Sequence, residues 1–316
     1  MNYICTSKMK HKNSGFSNSP MDYNPNTLKI EVSQADSLLS LYQSYTDRIK
    51  VLEGIEFAHN TYRRYQSSLN SLKRFLKDKD VRVSEIDHIF ASNYYYYLLT
   101  KEKLQSNSAY KNIKALHRIL NYAVENNFIP ANPCKRFKCK YKNPHRPFLT
   151  ETEIEKLQAA FFRQDSLTRV RDLFIFQIYT GLAYADMAAL TTKDIEIGVD
   201  GKKWIVLHRV KTGERVALPI LPAAMVILKK YRYSLPVISN QKMNTYLKVI
   251  AKTCKISKNL STHCGRHTFA TTITLSHGIP IETVSKVLGH SNISTTQIYA
   301  KIVDSKIAKD FSALMG

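Results

Sequence analysis

The segment from Lys135 to Arg146 constrains the fold of this chain most, because a run of this kind does not build a hydrophobic core. It contains six Lys or Arg residues and no acidic residue, so it repels itself into an extended conformation. Pro130 and Pro133 end the helical pattern before it. Thr150 and Glu153 form a capping box after it. The sequence therefore predicts two domains that are joined by a basic linker.

We divide the 316-residue chain into four segments on this basis. The first residues are polar and lack periodicity, which predicts a mobile tail. Helical periodicity follows, then the linker, then a second domain that opens at the capping box. The expected segments are a tail at 1–27, a helical domain at 28–140, the linker at 141–149 and a second domain at 150–316.

The charge of the chain indicates a polyanionic partner. Lys and Arg number 47 against 25 Asp and Glu, a formal net charge of +22. This excess is far more than solubility needs, and nucleic acid is the first partner to consider. A membrane surface is the alternative, but the chain has neither an apolar run of about 18 residues nor a signal-peptide pattern. We expect a cytoplasmic protein.

The first domain is predicted to be all-helical, with helices starting at Asn60, Ser84 and Ser108. The last of these has one apolar face and one basic face. The basic face has no interleaved acid, so a stripe that contacts phosphates is favoured over a solvated face. The residues expected to contact DNA are Lys111, Lys114 and Arg118 on this helix and Lys138, Lys140 and Lys142 near the linker.

The second domain combines helices with a small antiparallel sheet. An apolar helix over Arg171–Thr180 ends at Gly181. Three strand-like runs follow at about 195–199, 203–210 and 215–220, separated by Asp-Gly and Thr-Gly turns. Lys211 stands at the second turn, where a long cationic side chain reaches outward. The expected fold is therefore mainly α with a β-meander.

The stretch LGHSNISTTQIY, residues 288–299, joins two helices. Gly289 is the residue type that most easily ends a helix, so His290 lies at a helix exit. Ser294 and Gln297 have the spacing of a capping box, which predicts that the next helix starts after Ser294.

Tyr299 falls in the second turn of that next helix. Its neighbour Ile298 is expected to face the core, which would leave the phenol presented rather than buried. Upstream, His263 and Arg266 are three residues apart and share one face of another helix.

These motifs together resemble the tyrosine recombinase (phage integrase) family. They are HxxR at 263–266, LGH at 288–290, the Tyr nine residues later, the hairpin Lys and TGL at 180–182. The resemblance extends to the first domain, which is similar to the family's SAM-like core-binding domain. The run RDLFIFQIYTGLAYADM is similar to recombinases of Bacteroidetes mobile elements.

The resemblance implies a site-specific DNA recombinase, an integrase or invertase, that cleaves and rejoins strands through a 3′-phosphotyrosyl intermediate without cofactor or metal. Its partners would be double-stranded DNA and further copies of itself in a tetrameric synapse, with accessory DNA-bending proteins as an option. The implied catalytic residues are Lys211 as general acid, His263, Arg266 and His290 at the phosphate, and Tyr299 as nucleophile.

One position departs from the family pattern, which usually has Arg directly after TGL. This chain has Ala183 there, and Asp186 keeps the acidic position three residues later. Arg171 is the first candidate to replace the absent guanidinium, with Arg169 behind it; the alternative is that Arg171 only caps a surface helix end. Loss of a transition-state cation also leaves open an alternative function, a catalytically impaired DNA-binding protein of the same fold.

A zinc enzyme is a further alternative, because His263, His267 and His290 lie near Cys254 and Cys264 in the sequence. The chain has no HExxH motif and no CxxC pair among its five cysteines, which disfavours both a metal site and a disulfide framework.

The type of recombination, whether integration, excision or inversion, stays open. We expect no full arm-type DNA-binding domain before residue 28, which favours an invertase or resolvase-like role over an integrase that needs distant arm sites. A helical apolar stripe is expected at Val303, Ile307, Phe311 and Leu314.

Overall fold

The computed structural model describes residues 37–142 and 147–300. The expected tail and the stripe after Tyr299 lie outside these residues. The chain divides between Asn143 and Pro144 into two compact units, each with its own hydrophobic core. No helix in the described ranges is long and apolar enough to cross a membrane.

The first unit is helical, as expected. Its helices are α1 (Leu38–Val51), α2 (His59–Leu76), α3 (His88–Thr100) and α4 (Ser106–Glu125). Two predicted helix starts were wrong: Asn60 lies inside α2, and Ser84 lies in a 3₁₀ turn. Asp87 caps α3 instead, since its carboxylate accepts a hydrogen bond from the backbone N–H of Phe90.

Aromatic residues fill much of the first core. The Tyr45 ring meets those of Tyr65 and Tyr122 edge-on, with centroids 5.4 and 5.0 Å apart, a geometry that the ring quadrupoles favour. Tyr94 is buried against α2, whereas Tyr96 is exposed. The Tyr94–Tyr97 run therefore belongs to one packed helix.

The basic segment packs more than its charge predicts, and the expectation that it cannot pack was wrong. The Phe137 ring lies 5.9 Å from that of Tyr95. The Tyr141 ring lies 5.3 Å from that of Tyr110. Phe137, Cys139 and Tyr141 alternate with three lysines here, so one side packs on the first unit while the lysines stay exposed. We call residues 137–142 the basic strap.

The second unit opens at α5, and the Thr150–Glu153 capping box is confirmed. Ser261 caps α10 by accepting from the backbone N–H of Cys264. The helices are α5 (Glu151–Ala159), α6 (Asp165–Thr180), α7 (Tyr184–Ala189), α8 (Pro222–Lys230), α9 (Asn240–Thr253), α10 (Thr262–Thr268), α11 (Ile281–Val287) and α12 (Ser294–Ala300). A six-residue π-helix, Phe269–Thr274, continues α10.

The predicted meander is confirmed as a three-stranded antiparallel sheet in the order β1-β2-β3. The strands are β1 (Ile195–Ile197), β2 (Lys203–His208) and β3 (Arg215–Pro219). Ile205 pairs with Leu218 and Leu207 with Val216. These four side chains are buried in the core that also contains α6. The packing of β2 and β3 on this core therefore fixes the position of the turn between them.

Candidate active site

Arg266 lies on α10 and is only 4% exposed. Its Nη1 donates to the carbonyl of Gly181 at 2.8 Å, and its Nη2 donates to the carbonyl of Leu288. Both acceptors lie at helix C-terminal ends, α6 and α11, where backbone carbonyls lack intrahelical partners and carry partial negative charge. Two helix ends therefore hold the buried guanidinium.

These partners of Arg266 are neutral. No carboxylate among the described residues lies within ion-pair distance of it. Burial, followed by the nearby charge of Arg209, lowers the pKa of Arg266 to about 10. A buried cation without an anionic partner is costly in free energy. The surroundings of Arg266 are therefore suited to an anionic ligand.

His290 connects Arg266 to α12. Its Nε2 lies 3.1 Å from Arg266 Nη2, and its Nδ1 lies 2.8 Å from Thr296 Oγ1. Because arginine only donates, Nε2 accepts, and the ring proton then sits on Nδ1 and points to Thr296. Burial, followed by the charges of Arg266 and Arg209, lowers the pKa of His290 to about 4. The imidazole is thus neutral near pH 7.

Tyr299 is 5% exposed, so the expectation of a presented phenol was wrong. Its ring centroid lies 4.8 Å from that of His267 and 6.4 Å from that of His290, with the second pair nearly parallel. Its phenol interacts electrostatically with Arg266 and opposes the lowering of the Arg266 pKa. The phenol is therefore held inside the cluster of cationic and imidazole groups.

The α12 helix starts one residue earlier than the sequence predicted. Asn292 Oδ1 accepts from the Ser294 backbone N–H at 2.8 Å, and the helix begins at Ser294 itself. The predicted Ser294–Gln297 capping box is not among the described hydrogen bonds. On this helix Tyr299 faces inward and Ile298 faces outward, where it is 56% exposed.

The other two expected catalytic residues lie near the surface. His263 is exposed on α10, with its ring centroid 4.8 Å from that of His267. Lys211 is exposed in the turn between β2 and β3. Within the part of the chain that the structure describes, Lys211 makes no hydrogen bond or ion pair with the Arg266 cluster.

Arg209 joins the cluster, and the sequence reasoning missed it. It directly follows β2, and its side chain is 12% exposed. Its Nε lies 3.2 Å from Asp186 Oδ2, and its Nη1 donates to the carbonyl of Gly289 at 3.0 Å. The available signal was Asp186, an acidic residue three positions after an Ala where a cation was expected, but spacing alone does not identify the partner of a carboxylate.

Arg171, the residue expected to replace the absent guanidinium, is not brought to the cluster. It donates through Nε and Nη2 to Asp172, and through Nη1 to the carbonyl of Ala160. It lies ten residues before Gly181 on α6, or about 15 Å along the helix axis at 1.5 Å per residue. Its partners make Arg171 part of a buried ion network near the middle of the helix, away from the Gly181 end.

The residues expected to bind DNA differ in their surroundings. Lys111 and Lys114 are exposed on α4. Arg118 instead donates to Tyr45 Oη at 3.0 Å and to Glu125 at 2.8 Å, so it supports the fold of the first unit. The remaining three lysines are exposed on the basic strap: Lys138, Lys140 and Lys142.

A metal centre is not supported within residues 37–142 and 147–300, where no group of three or more His, Cys, Asp or Glu residues is arranged to hold an ion. Cys254 and Cys264 are buried free thiols. Burial raises the pKa of Cys264 to about 11, which disfavours the thiolate that zinc binds.

Comparison with known proteins gives family matches to both units. Residues 37–142 match the family model for the phage integrase SAM-like domain. Residues 147–306 match that of the phage integrase family. The tyrosine recombinase XerC of Pediococcus pentosaceus is 24% identical over 300 residues, covering 87% of this chain and 96% of the relative. XerD of Shewanella oneidensis is 24% identical over 288 residues, covering 84% and 93%.

Solved structures share the fold. A lambda integrase dimer bound to a COC′ core site aligns with a TM-score of 0.68 at 19% identity, covering 83% of this chain and 95% of that one. The integrase of transposon Tn1549, in complex with a circular intermediate DNA, aligns with a TM-score of 0.65 at 15% identity, covering 84% and 95%. A lambda integrase tetramer on a Holliday junction aligns at 0.67 and 18%, covering 88% and 81%.

Proposed function

The chain belongs to the phage integrase family, and we propose that it is a site-specific DNA recombinase that works through a 3′-phosphotyrosyl intermediate. The observation that carries this proposal is the convergence of Tyr299, His290 and Arg266. A buried guanidinium with neutral partners, beside a phenol, fits a phosphodiester that is attacked by that phenol.

The chemical step balances as a transesterification. The Tyr299 oxygen attacks the phosphorus, a P–O bond to tyrosine forms, and the bond to the 5′-oxygen breaks. The phenol proton leaves, and the departing 5′-oxygen takes up a proton to become a hydroxyl. Religation is the reverse reaction with a 5′-hydroxyl of another strand, so no nucleotide is consumed.

Arg266 donates to the non-bridging oxygens, whose charge grows in the transition state. His290 is neutral near pH 7, so its Nε2 is able to accept a proton once Arg266 turns towards phosphate. Lys211 protonates the 5′-oxygen from the β2–β3 turn, and His263 contacts phosphate from the exposed side of α10. The last two roles require the DNA to lie over the exposed faces of these residues.

DNA contacts in the first unit come from the exposed lysines. Lys111 and Lys114 lie on α4, and the basic strap adds three more. Arg118 contributes less, because Glu125 already neutralises it. Such contacts are to phosphates and position the protein without reading sequence.

Several copies assemble on DNA, and we place four in the recombining complex, as in the solved lambda integrase tetramer. Accessory DNA-bending proteins, a cytoplasmic site of action and an origin in Bacteroidetes mobile elements belong to the same proposal. The alternative, a DNA-binding protein without catalysis, rested on Ala183. No observation in the described residues favours it.

The decisive experiment is covalent capture on DNA. The wild-type protein should form an adduct with a nicked duplex whose sequence is first selected for binding from a random pool. Tyr299→Phe should bind the same duplex and form no adduct, since it lacks only the phenolic oxygen. An adduct with the Phe variant, or none with the wild type on any selected duplex, would overturn the proposal.

A further inference from the structure

Two guanidinium groups meet at one turn of the second unit. Arg266 donates to the carbonyl of Leu288, and Arg209 donates to the carbonyl of Gly289. Because these carbonyls belong to successive residues, the two cations lie side by side, directly before His290. They reach the turn from different elements, since Arg266 comes from α10 and Arg209 from the end of β2.

The charges at this turn do not cancel. Asp186 is the one carboxylate, within the described ranges, that lies at ion-pair distance from either arginine. Two guanidinium groups and one carboxylate leave an excess positive charge in a largely buried place. The charge of Arg209 also helps to lower the pKa values of Arg266 and His290, which places it electrostatically within the same site. An anion bound there would relieve the repulsion.

We infer that Arg209 is a second catalytic guanidinium, which contacts the non-bridging oxygens of the scissile phosphate together with Arg266, and that Asp186 is its positioning residue. This inference rests on the proposed function. The inference also explains how the site tolerates Ala183. The cation that is absent after TGL is supplied by Arg209, which directly follows β2.

Asp186 holds both the side chain of Arg209 and the main chain directly after it. One carboxylate oxygen accepts from Arg209 Nε, and the other accepts from the backbone N–H of Val210 at 2.9 Å. The carboxylate is 2% exposed and lies one helical turn after Ala183 on α7. With Nε bound to Asp186 and Nη1 to Gly289, the plane of the guanidinium is fixed before any DNA arrives. A fixed plane suits bidentate contact with phosphate.

The test compares rates of adduct formation on the selected nicked duplex. Arg209→Ala should form the phosphotyrosyl adduct about 100 to 1,000 times more slowly than wild type, the usual loss for one transition-state donor. DNA binding should change little. Arg163→Ala removes an exposed guanidinium from the same unit and is the matched control, with wild-type rates expected.

A neutralised substrate separates a catalytic cation from a structural one. The test substrate is a duplex whose scissile phosphate carries a methyl group in place of one non-bridging oxygen. Less negative charge then develops on the phosphate in the transition state. The Arg209→Ala defect should then shrink at least tenfold relative to wild type on the same duplex. A defect of equal size on both duplexes would mean that Arg209 only supports the fold, and a defect below about threefold on the natural duplex would also overturn the inference.

Asp186 is tested through its dependence on Arg209. Asp186→Asn should slow adduct formation alone, but add little in the Arg209→Ala background, because a positioning residue acts only through its partner. Additive losses would show that Asp186 acts independently.

The anion site can be tested separately if the chain proves not to be a recombinase. If the wild type forms no adduct on any selected duplex, inorganic phosphate becomes the probe. Phosphate that raises the melting temperature of wild type and Arg163→Ala, but not of Arg209→Ala, would support the two-guanidinium anion site. Equal stabilisation of all three proteins would overturn it.

Discussion

Arg266 and Arg209 donate hydrogen bonds to successive main-chain carbonyls, those of Leu288 and Gly289. The turn that ends α11 therefore sets the positions of both cations and, through the next residue, of His290. The same turn leads into α12, which carries Tyr299. A change of conformation in this turn consequently alters several functional groups together.

Gly289→Ala should damage both cleavage and stability. Gly289 has φ +60, and a Cβ there would lie 2.5 Å from Arg209 Cδ and 2.7 Å from Val216 Cγ2. The left-handed backbone alone costs about 1 to 2 kcal/mol for a residue with a Cβ, and the overlap also displaces Arg209. We expect adduct formation to fall at least tenfold, and urea unfolding to show a loss of more than about 2 kcal/mol.

Gly201→Ala is the control for that experiment. Gly201 has a similar φ of +72, but no atom lies within 4 Å of the position that an added Cβ would take. It should lose stability through backbone strain alone and keep its rate of adduct formation. Equal activity losses in the two variants would contradict the proposed role of the Gly289 contact.

Arg171→Ala should keep its activity and lose stability. Asp172 is 1% exposed and accepts from Arg171, Lys230 and Tyr231. Removing one of three partners of a buried carboxylate should cost about 1 to 3 kcal/mol, measured by urea unfolding. Adduct formation, measured well below the melting temperature, should stay within about threefold of wild type. A folded but inactive variant would return Arg171 to the catalytic site.

The helix ends and the sheet were predictable because their signals are local. Thr150 with Glu153 at a domain start, and Gly181 and Gly289 at helix ends, act within a few residues of chain. The orientation of Tyr299 was not predictable in this way. Whether Tyr299 or Ile298 faces inward depends on His267 and His290, which come from distant positions.

The second cation was hidden for the same reason. The partner of Asp186 lies 23 residues further along the chain, after the first two strands, and Arg171 looked suitable because it stands on the helix that ends at Gly181. Helix rise separates Arg171 from that end. Only the tertiary fold shows that Arg209, and not Arg171, lies beside Arg266.

The acid sensitivity of the protein should depend on His290. Its pKa is about 4 in the folded state, below the ordinary value of 6.5. The unfolded state therefore binds more protons between these values, so the free energy of unfolding falls as pH falls from 6.5 towards 4. His290→Gln, measured by urea unfolding across this range, should show a shallower fall than wild type. Parallel curves for the two proteins would contradict the assignment.

The basic strap should bind DNA as a prefolded element. Asn107 bonds both main-chain groups of Lys142, with its Nδ2 donating to the carbonyl at 2.6 Å and its Oδ1 accepting from the N–H at 2.9 Å. Tyr141 packs on Tyr110. The lysines are thus held in place before binding, and little ordering entropy opposes their contacts.

Replacing the three strap lysines, Lys138, Lys140 and Lys142, by Ala should weaken DNA binding and its salt dependence together. Each lost phosphate contact lowers the slope of log K against log salt by about 0.9, so a decrease of about 2 to 3 is expected. Binding to unrelated duplexes should weaken to the same extent, because phosphate contacts do not read sequence.

A triple Ala variant at Lys50, Lys79 and Lys101 removes the same charge from exposed positions elsewhere in the first unit. It should keep a salt slope within about 1 of wild type, because net charge alone acts only through screened long-range attraction. If both triple variants lose the same slope, the strap has no special contact with DNA. Asn107→Ala should distinguish the effect of a fixed strap from the effect of its charge. This variant keeps every lysine but loses the two hydrogen bonds that fix Lys142, so we expect weaker DNA binding at low salt.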